Sequence, residues 1–204
     1  KAFKIILPLF PASFLLLPLG SFDNMVLESM NNSAEMGLYN IGKGIASYLY
    51  VGLFPFYQTF EPNIYKNTVQ GNFRSLKITA ISLISLIIIS FIAFWIVSPY
   101  IIKYLTAGKY LNAVKYANVL ALTSGLMIIF SFLDAIINAL QETKKHLYIN
   151  SVTACFCIIT YIICGKYFNQ LGVAFATIIT YVFLVVLQSI VVIRVIKLRP
   201  NLSI

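Results

Sequence analysis

An all-α, polytopic membrane fold is predicted, with six transmembrane helices forming one bundle and residues 1–204 forming a single domain. Three observations carry that prediction. Of 204 residues, 60% are hydrophobic and 10% charged, with mean hydropathy +0.88, whereas a soluble domain carries about 25% charged residues. The charges cluster between long apolar runs. Those runs recur six times, each near the 20 residues that cross a bilayer as a helix, and six is too many for a signal peptide. The net charge of +9 sits mostly in loops flanking the runs, with no basic helix and no stacking aromatics in a polar context, so nucleic-acid binding is not expected. The 16 Phe and 13 Tyr lie within and at the ends of the runs, as lipid contacts and interfacial belts do.

The first span is placed at 3–28. Pro8, Pro11 and Pro18 fall inside it, and because each removes a helical donor and strains the preceding turn, a bent or broken helix is expected. The second, 37–60, contains Pro55 and, unusually for a span, Lys43. The third is placed at 76–98, the fourth at 110–140, the fifth at 147–168 and the sixth at 171–196. Short loops join them. The fifth span holds Cys155, Cys157 and Cys164; an odd number in one apolar run argues against disulfides, and Cys-x-Cys on a helix points its thiols to different faces, so neither a metal site nor a cofactor is expected.

Loop charge sets the expected orientation. With the N-terminus cytoplasmic, ten Lys and Arg lie inside, among them Lys66, Arg74, Lys144, Lys145 and Arg194, against four outside: Lys103, Lys109, Lys115 and Lys166. Both termini are then cytoplasmic. Asp23–Met36 holds Asp23, Glu28 and Glu35 without a Lys or Arg, which suits an external face. Lys1 stands where a Met would begin a gene product, and the chain is expected to be a fragment or processed piece.

Several spans carry polar residues at helical spacing. On the second, Asn40, Lys43, Ser47, Tyr50, Tyr57 and Glu61 share a face. The fourth has Ser124, Ser131, Asp134, Asn138 and Gln141; the fifth Asn150, Thr153, Cys157, Thr160 and Cys164; the sixth Thr177, Thr180 and Gln188. For lone Ser and Thr residues the expectation is interhelical hydrogen bonding, worth about 0.6 kcal/mol each. Lys43 and Asp134 point instead to a wet cavity, because ionisable groups within spans face the interior, a partner or a solvated path. The substrate-cavity candidates are Lys43, Asn40, Ser47, Tyr50, Asp134 and Asn138. Lys43 lies six residues, or about 9 Å, beyond Gly37, so snorkelling to the outer interface stays open beside the cavity reading. A compact ammonium with three donors suits phosphate or carboxylate. Asp134 is taken as the only central acid, and its partner is left open. His146, in a Lys-Lys-His loop, is read as a solvated interfacial residue. With no nucleophile and base at workable spacing, an enzyme such as a glycan polymerase or acyltransferase is not expected.

Four segments resemble a known family. SAEMGLYNIGKGIA (33–46), after a span ending in Phe22-Asp23, resembles an acidic residue followed by a Gly-x-Tyr helix entry. FPFYQTFEPNIYK (54–66) resembles a proline-bearing helix exit, AGKYLNAVKYANVLA (107–121) a Gly-x-Tyr helix start, and LGVAFATIITY (171–181) a Gly-x-x-Ala-x-Ala-Thr opening. In series they are similar to the Wzx-type O-antigen and polysaccharide flippases of the multidrug/oligosaccharidyl-lipid/polysaccharide exporter superfamily. The resemblance implies one six-helix bundle, the C-terminal half, of a twelve-helix exporter in the bacterial inner membrane. It implies alternating-access flipping of undecaprenyl-pyrophosphate-linked oligosaccharide, for O-antigen, lipopolysaccharide or other surface polysaccharide biosynthesis, coupled to an ion gradient. The partners it implies are the lipid-linked substrate, membrane lipids, the N-terminal six-helix half and polysaccharide polymerase machinery, and Lys43 becomes a contact for pyrophosphate or an acidic sugar. The alternatives are a cation-coupled multidrug exporter of the same superfamily and a non-transporting structural subunit.

Overall fold

The computed structural model describes the backbone of residues 17–198. The described residues form helices joined by tight turns, with no strand among them. α1 runs Leu17–Ser29, α2 Ser33–Val69 and α3 Phe73–Leu105; a 3-10 turn, Leu111–Ala113, leads into α4, Val114–Ala139. α5, Thr143–Leu198, is a hairpin broken at Asn169 (φ 53°, ψ −144°) into arms α5a (143–168) and α5b (170–198). The expected break at Pro8 and Pro11 lies outside the described residues. Pro18 lies within α1. α2 passes through Pro55 and Pro62, and α3 through Pro99, without ending.

α2 and α3 are longer than the apolar runs that announce them. Each gains about one turn at its start, where an asparagine caps it, and more at its far end: Asn32 Oδ1 accepts from Glu35 N and Asn72 Oδ1 from Ser75 N, both at 3.2 Å. At the other end, chain reversals need left-handed backbone, supplied by Asn31, Gly71, Ala107, Gly108 and Gln141.

Three helical segments are long and apolar enough to cross a membrane: Phe73–Leu105, Leu111–Ala139 and Thr143–Ile196. In the most apolar window of α3 only 6% of residues are buried, and its outer face is Ile81, Ile88, Ile92, Trp95 and Ile96, all more than half exposed. Such a surface belongs against acyl chains. α4 is the opposite. It is the central helix, with 56% of its window buried, and it packs parallel to α2 and antiparallel to α3 and α5a. Gly42 makes the α2–α4 approach possible: a Cβ there would lie 2.7 Å from Tyr116 Cβ and 2.9 Å from the Ala113 carbonyl oxygen. In the hairpin, a Cβ on Gly172 would sit 2.0 Å from the Cys164 carbonyl oxygen, so only glycine lets the arms close. Phe156 stacks on Phe183, ring centroids 4.0 Å apart, which fixes the antiparallel register of the two arms.

Candidate functional site

Lys43 reaches across to α1. Its Nζ lies 2.6 Å from Asp23 Oδ2 and 3.0 Å from the Gly20 carbonyl oxygen, so one turn of α1 receives it. Asp23 is 1% exposed, whereas the Lys43 side chain is 34% exposed. The same Oδ2 accepts from Tyr39 OH at 2.8 Å, and Tyr39 is fully buried. A carboxylate buried so deeply needs a cation and a donor to offset its desolvation, and it has both. Asp134 is therefore not the only central acid. α1 and α2 form an antiparallel hairpin whose register sets Asp23 opposite Tyr39 and Lys43, twenty residues away, and this draws an acid from the end of the first span into the core.

The uncovered side of Lys43 opens on a cavity of about 210 Å³, against the roughly 10–15 Å³ that holds one water. Ser47 and Tyr50 line it from α2, Thr123, Ser124 and Met127 from α4, and Thr177 and Tyr181 from α5b. Ser124 is fixed by donating to the Ala46 carbonyl at 2.9 Å. Of the six residues singled out in the sequence, Lys43, Ser47 and Tyr50 meet here. Asn40 is exposed and does not line this cavity. A larger cleft of about 350 Å³ between α2 and α3 is lined by Ile45, Leu49, Phe94, Val97 and their neighbours and carries no charged group.

Asp134 and Asn138 stand at the other end of the bundle. Asn138 Nδ2 donates to Asp134 Oδ2 at 2.8 Å, and Asp134 Oδ1 lies 2.8 Å from His146 Nδ1. His146 is 6% exposed, not a solvated loop residue. The Leu140–Glu142 turn is tight, with Gln141 at φ 57°, so α5a starts at Thr143 and its first turn folds His146 inward against α4. Asn150 Nδ2 faces His146 Nε2 at 3.1 Å; with that amide donating, Nε2 accepts and the ring proton sits on Nδ1, towards Asp134. The sequence offers a signal for this pair only in retrospect, as the i, i+4 spacing of His146 and Asn150 along a polar face.

At the Lys43 end, outside the apolar spans, Glu35 accepts from Tyr116 OH at 2.5 Å and lies 3.4 Å from Lys115 Nζ. The Tyr116 hydroxyl, with help from Lys115, holds its carboxyl below the ordinary value of 4.5 against the opposing effect of burial.

Comparison with family models, with curated proteins and with solved structures returns no match.

Proposed function

We propose that this chain is one six-helix bundle of an exporter that flips a lipid-linked oligosaccharide across the bacterial cytoplasmic membrane, with both ends of the segment cytoplasmic. In this reading the first span is the one placed from the sequence at 3–28, α2 is the second despite its polar face, and the arms of α5 are the last two. Lys43 carries the proposal: an ammonium on the wall of a cavity, one side held by a buried carboxylate and the other open. In a partly dry cavity such a cation attracts an anionic head group far more strongly than in bulk water. A pyrophosphate suits it, since an ammonium engages phosphate oxygens as a point charge. Ser47, Thr123 and Tyr50 offer hydroxyls on the same wall for sugar. The apolar faces of α2 and α3 leave the lipid tail in the bilayer while the second bundle closes the cavity and rocks against this one.

A multidrug exporter is the second reading, and the site weighs against it: an organic cation needs an acidic cavity, yet Asp23 is already neutralised by Lys43. The test replaces Lys43 with Ala in the full-length protein and measures surface polysaccharide in a strain lacking its flippase. Loss of polysaccharide at normal expression is expected. Undiminished polysaccharide removes Lys43 from the mechanism, and failure of the unmodified gene to restore polysaccharide removes the flippase reading.

A further inference from the structure

α3 carries a stripe that changes character along its length. Arg74, Lys77, Ile81, Ile84 and Ile88 follow one another at steps of three, four, three and four, which keeps them on one face. All five are exposed, the isoleucines by about half. From Lys77 to Ile88 the rise is eleven residues, about 16 Å, close to half of the roughly 30 Å hydrocarbon core. The stripe therefore runs from a charged edge through one leaflet's depth of apolar surface. Beside it lies a groove of about 210 Å³, lined by Leu83 and Ile84 from α3, Ile129, Phe132 and Leu133 from α4, and Ser189 from α5b. Ile84 belongs to both, so the groove opens onto the stripe.

Among the described residues, neither cation of the stripe has an acidic partner. The carboxylates at this end of the bundle are engaged elsewhere. Asp134 is met by His146 and Glu142 by Lys145, while Glu61 faces Tyr57 and Tyr65. The turn that presents the cations is fixed. Gly71 takes left-handed backbone at φ 68°, Asn72 Oδ1 accepts from Ser75 N, and Asn67 Nδ2 donates to Ser75 Oγ at 2.9 Å. An arriving anion therefore meets a preset backbone, which lowers the ordering cost of binding.

We infer that this stripe and groove seat one anionic glycerophospholipid, its phosphate on Arg74 and Lys77 and an acyl chain along Ile81, Ile84 and Ile88, partly inside the groove. Charge complementarity selects the occupant. The ligand must be anionic at one end and apolar for about one leaflet, and an acidic protein segment lacks the second property. A groove lined by Leu, Ile and Phe stays dry and takes an apolar guest. Arginine engages phosphate oxygens bidentately and lysine adds a point charge. A zwitterionic lipid fits worse, because its own ammonium opposes the two cations; phosphatidylglycerol carries none. The seat differs from the ring of lipid that wets any apolar helix, since it needs the groove as well as the face. Its lining shares no residue with the Lys43 cavity, and the inference does not rest on the proposed function.

The test delipidates the full-length protein in detergent micelles, titrates it with phosphatidylglycerol or phosphatidylethanolamine, and counts bound lipids by native mass spectrometry. One phosphatidylglycerol should be retained more tightly than any phosphatidylethanolamine. Arg74→Gln with Lys77→Gln should weaken that retention by about thirtyfold, the factor for two membrane-facing cations, and leave phosphatidylethanolamine as it was. Lys144→Gln with Arg194→Gln removes the same charge from the same end. Arg194 is turned about 140° from Ser189 along α5b, so retention should hold in this double variant. Ala80→Phe keeps both cations, fills the groove from α3 and should weaken retention; Ile84→Ser, which adds no volume, gives the same readout should the bulkier variant unfold. Equal retention of the two lipids, unchanged phosphatidylglycerol in the Arg74 and Lys77 double variant, an equal loss in the Lys144 and Arg194 double variant, or full retention in the groove variants each overturns the inference. So does binding of a polyglutamate peptide that Arg74→Gln with Lys77→Gln abolishes while both lipids are retained alike, which assigns the patch to an acidic protein.

Discussion

Removing the Lys43 ammonium while leaving Asp23 in place gives the sharpest test of the packing logic. At 2.6 Å opposite charges attract by about 6 kcal/mol at an effective dielectric near 20. Desolvation of the two ions, several kcal/mol each when complete, offsets much of that. The pair is therefore worth little net, but breaking it from one side is not cheap, because an unpaired carboxylate stays behind at 1% exposure. One-sided removal of a buried pair costs about 3–5 kcal/mol, and since Lys43 is a third exposed the lower end applies, about 3 kcal/mol for Lys43→Ala. Asp23→Asn should cost less, about 1–2 kcal/mol, because the amide oxygen can still accept from Tyr39 and Lys43 keeps Gly20 and solvent. In the double variant no charge is stranded, so its cost should fall below the sum of the two by about 1–3 kcal/mol. Reversible unfolding in mixed detergent micelles of the wild type and the three variants measures this cycle. Strictly additive costs would mean that the two charges do not sense each other, and the account of the buried Asp23–Lys43 pair would be wrong.

Three further outcomes follow from the same geometry. Glu35 has its folded pKa depressed below 4.5, so its contribution to stability is complete above that value and is lost as pH falls through the folded value; melting temperatures from neutral pH down to about pH 3 should show an acid limb that Tyr116→Phe makes shallower. Gly42→Ala forces a methyl into Tyr116 and the α4 backbone and should cost about 1–3 kcal/mol, whereas Gly44→Ala, with nothing within 4 Å, should be neutral or stabilising by about 0.5–1 kcal/mol; equal unfolding midpoints for the two would contradict the contact. In a background without native cysteines, Ser47→Cys should react with a membrane-impermeant maleimide and Asn150→Cys should not, as lining the cavity and being fully buried require; no labelling at position 47 would make the cavity dry.

Much of this site was legible in one dimension. The period of a helix places Lys43, Ser47 and Tyr50 on one face, and the same periodicity makes the stripes of α4 and α5 readable as faces before any partner is known. Asn72 and Asn32 carry their capping signal in their residue type, although the apolar run alone underestimates how far a capped helix continues. The pairing of Asp23 with Lys43 could not be read because the sequence alone gives no α1–α2 register: a slip of one residue turns Asp23 by about 100° away from Lys43. His146 was read as solvated because two flanking lysines make its segment polar, while its actual burial comes from a turn that aims one position of three inward. The pairing of α5b against α5a comes from a single hairpin closing on Gly172.

The amino-acid order by itself therefore determined that this chain is helical, greasy and striped with polar residues, because hydropathy and helical period are properties of neighbours along the chain. Which polar face meets which other, and so which charges are neutralised and which remain open to the cavity, was decided only in three dimensions. Ion pairing depends on atoms brought within about 4 Å across helices, and for Lys43 the partner is an acid twenty residues earlier that only the folded hairpin delivers.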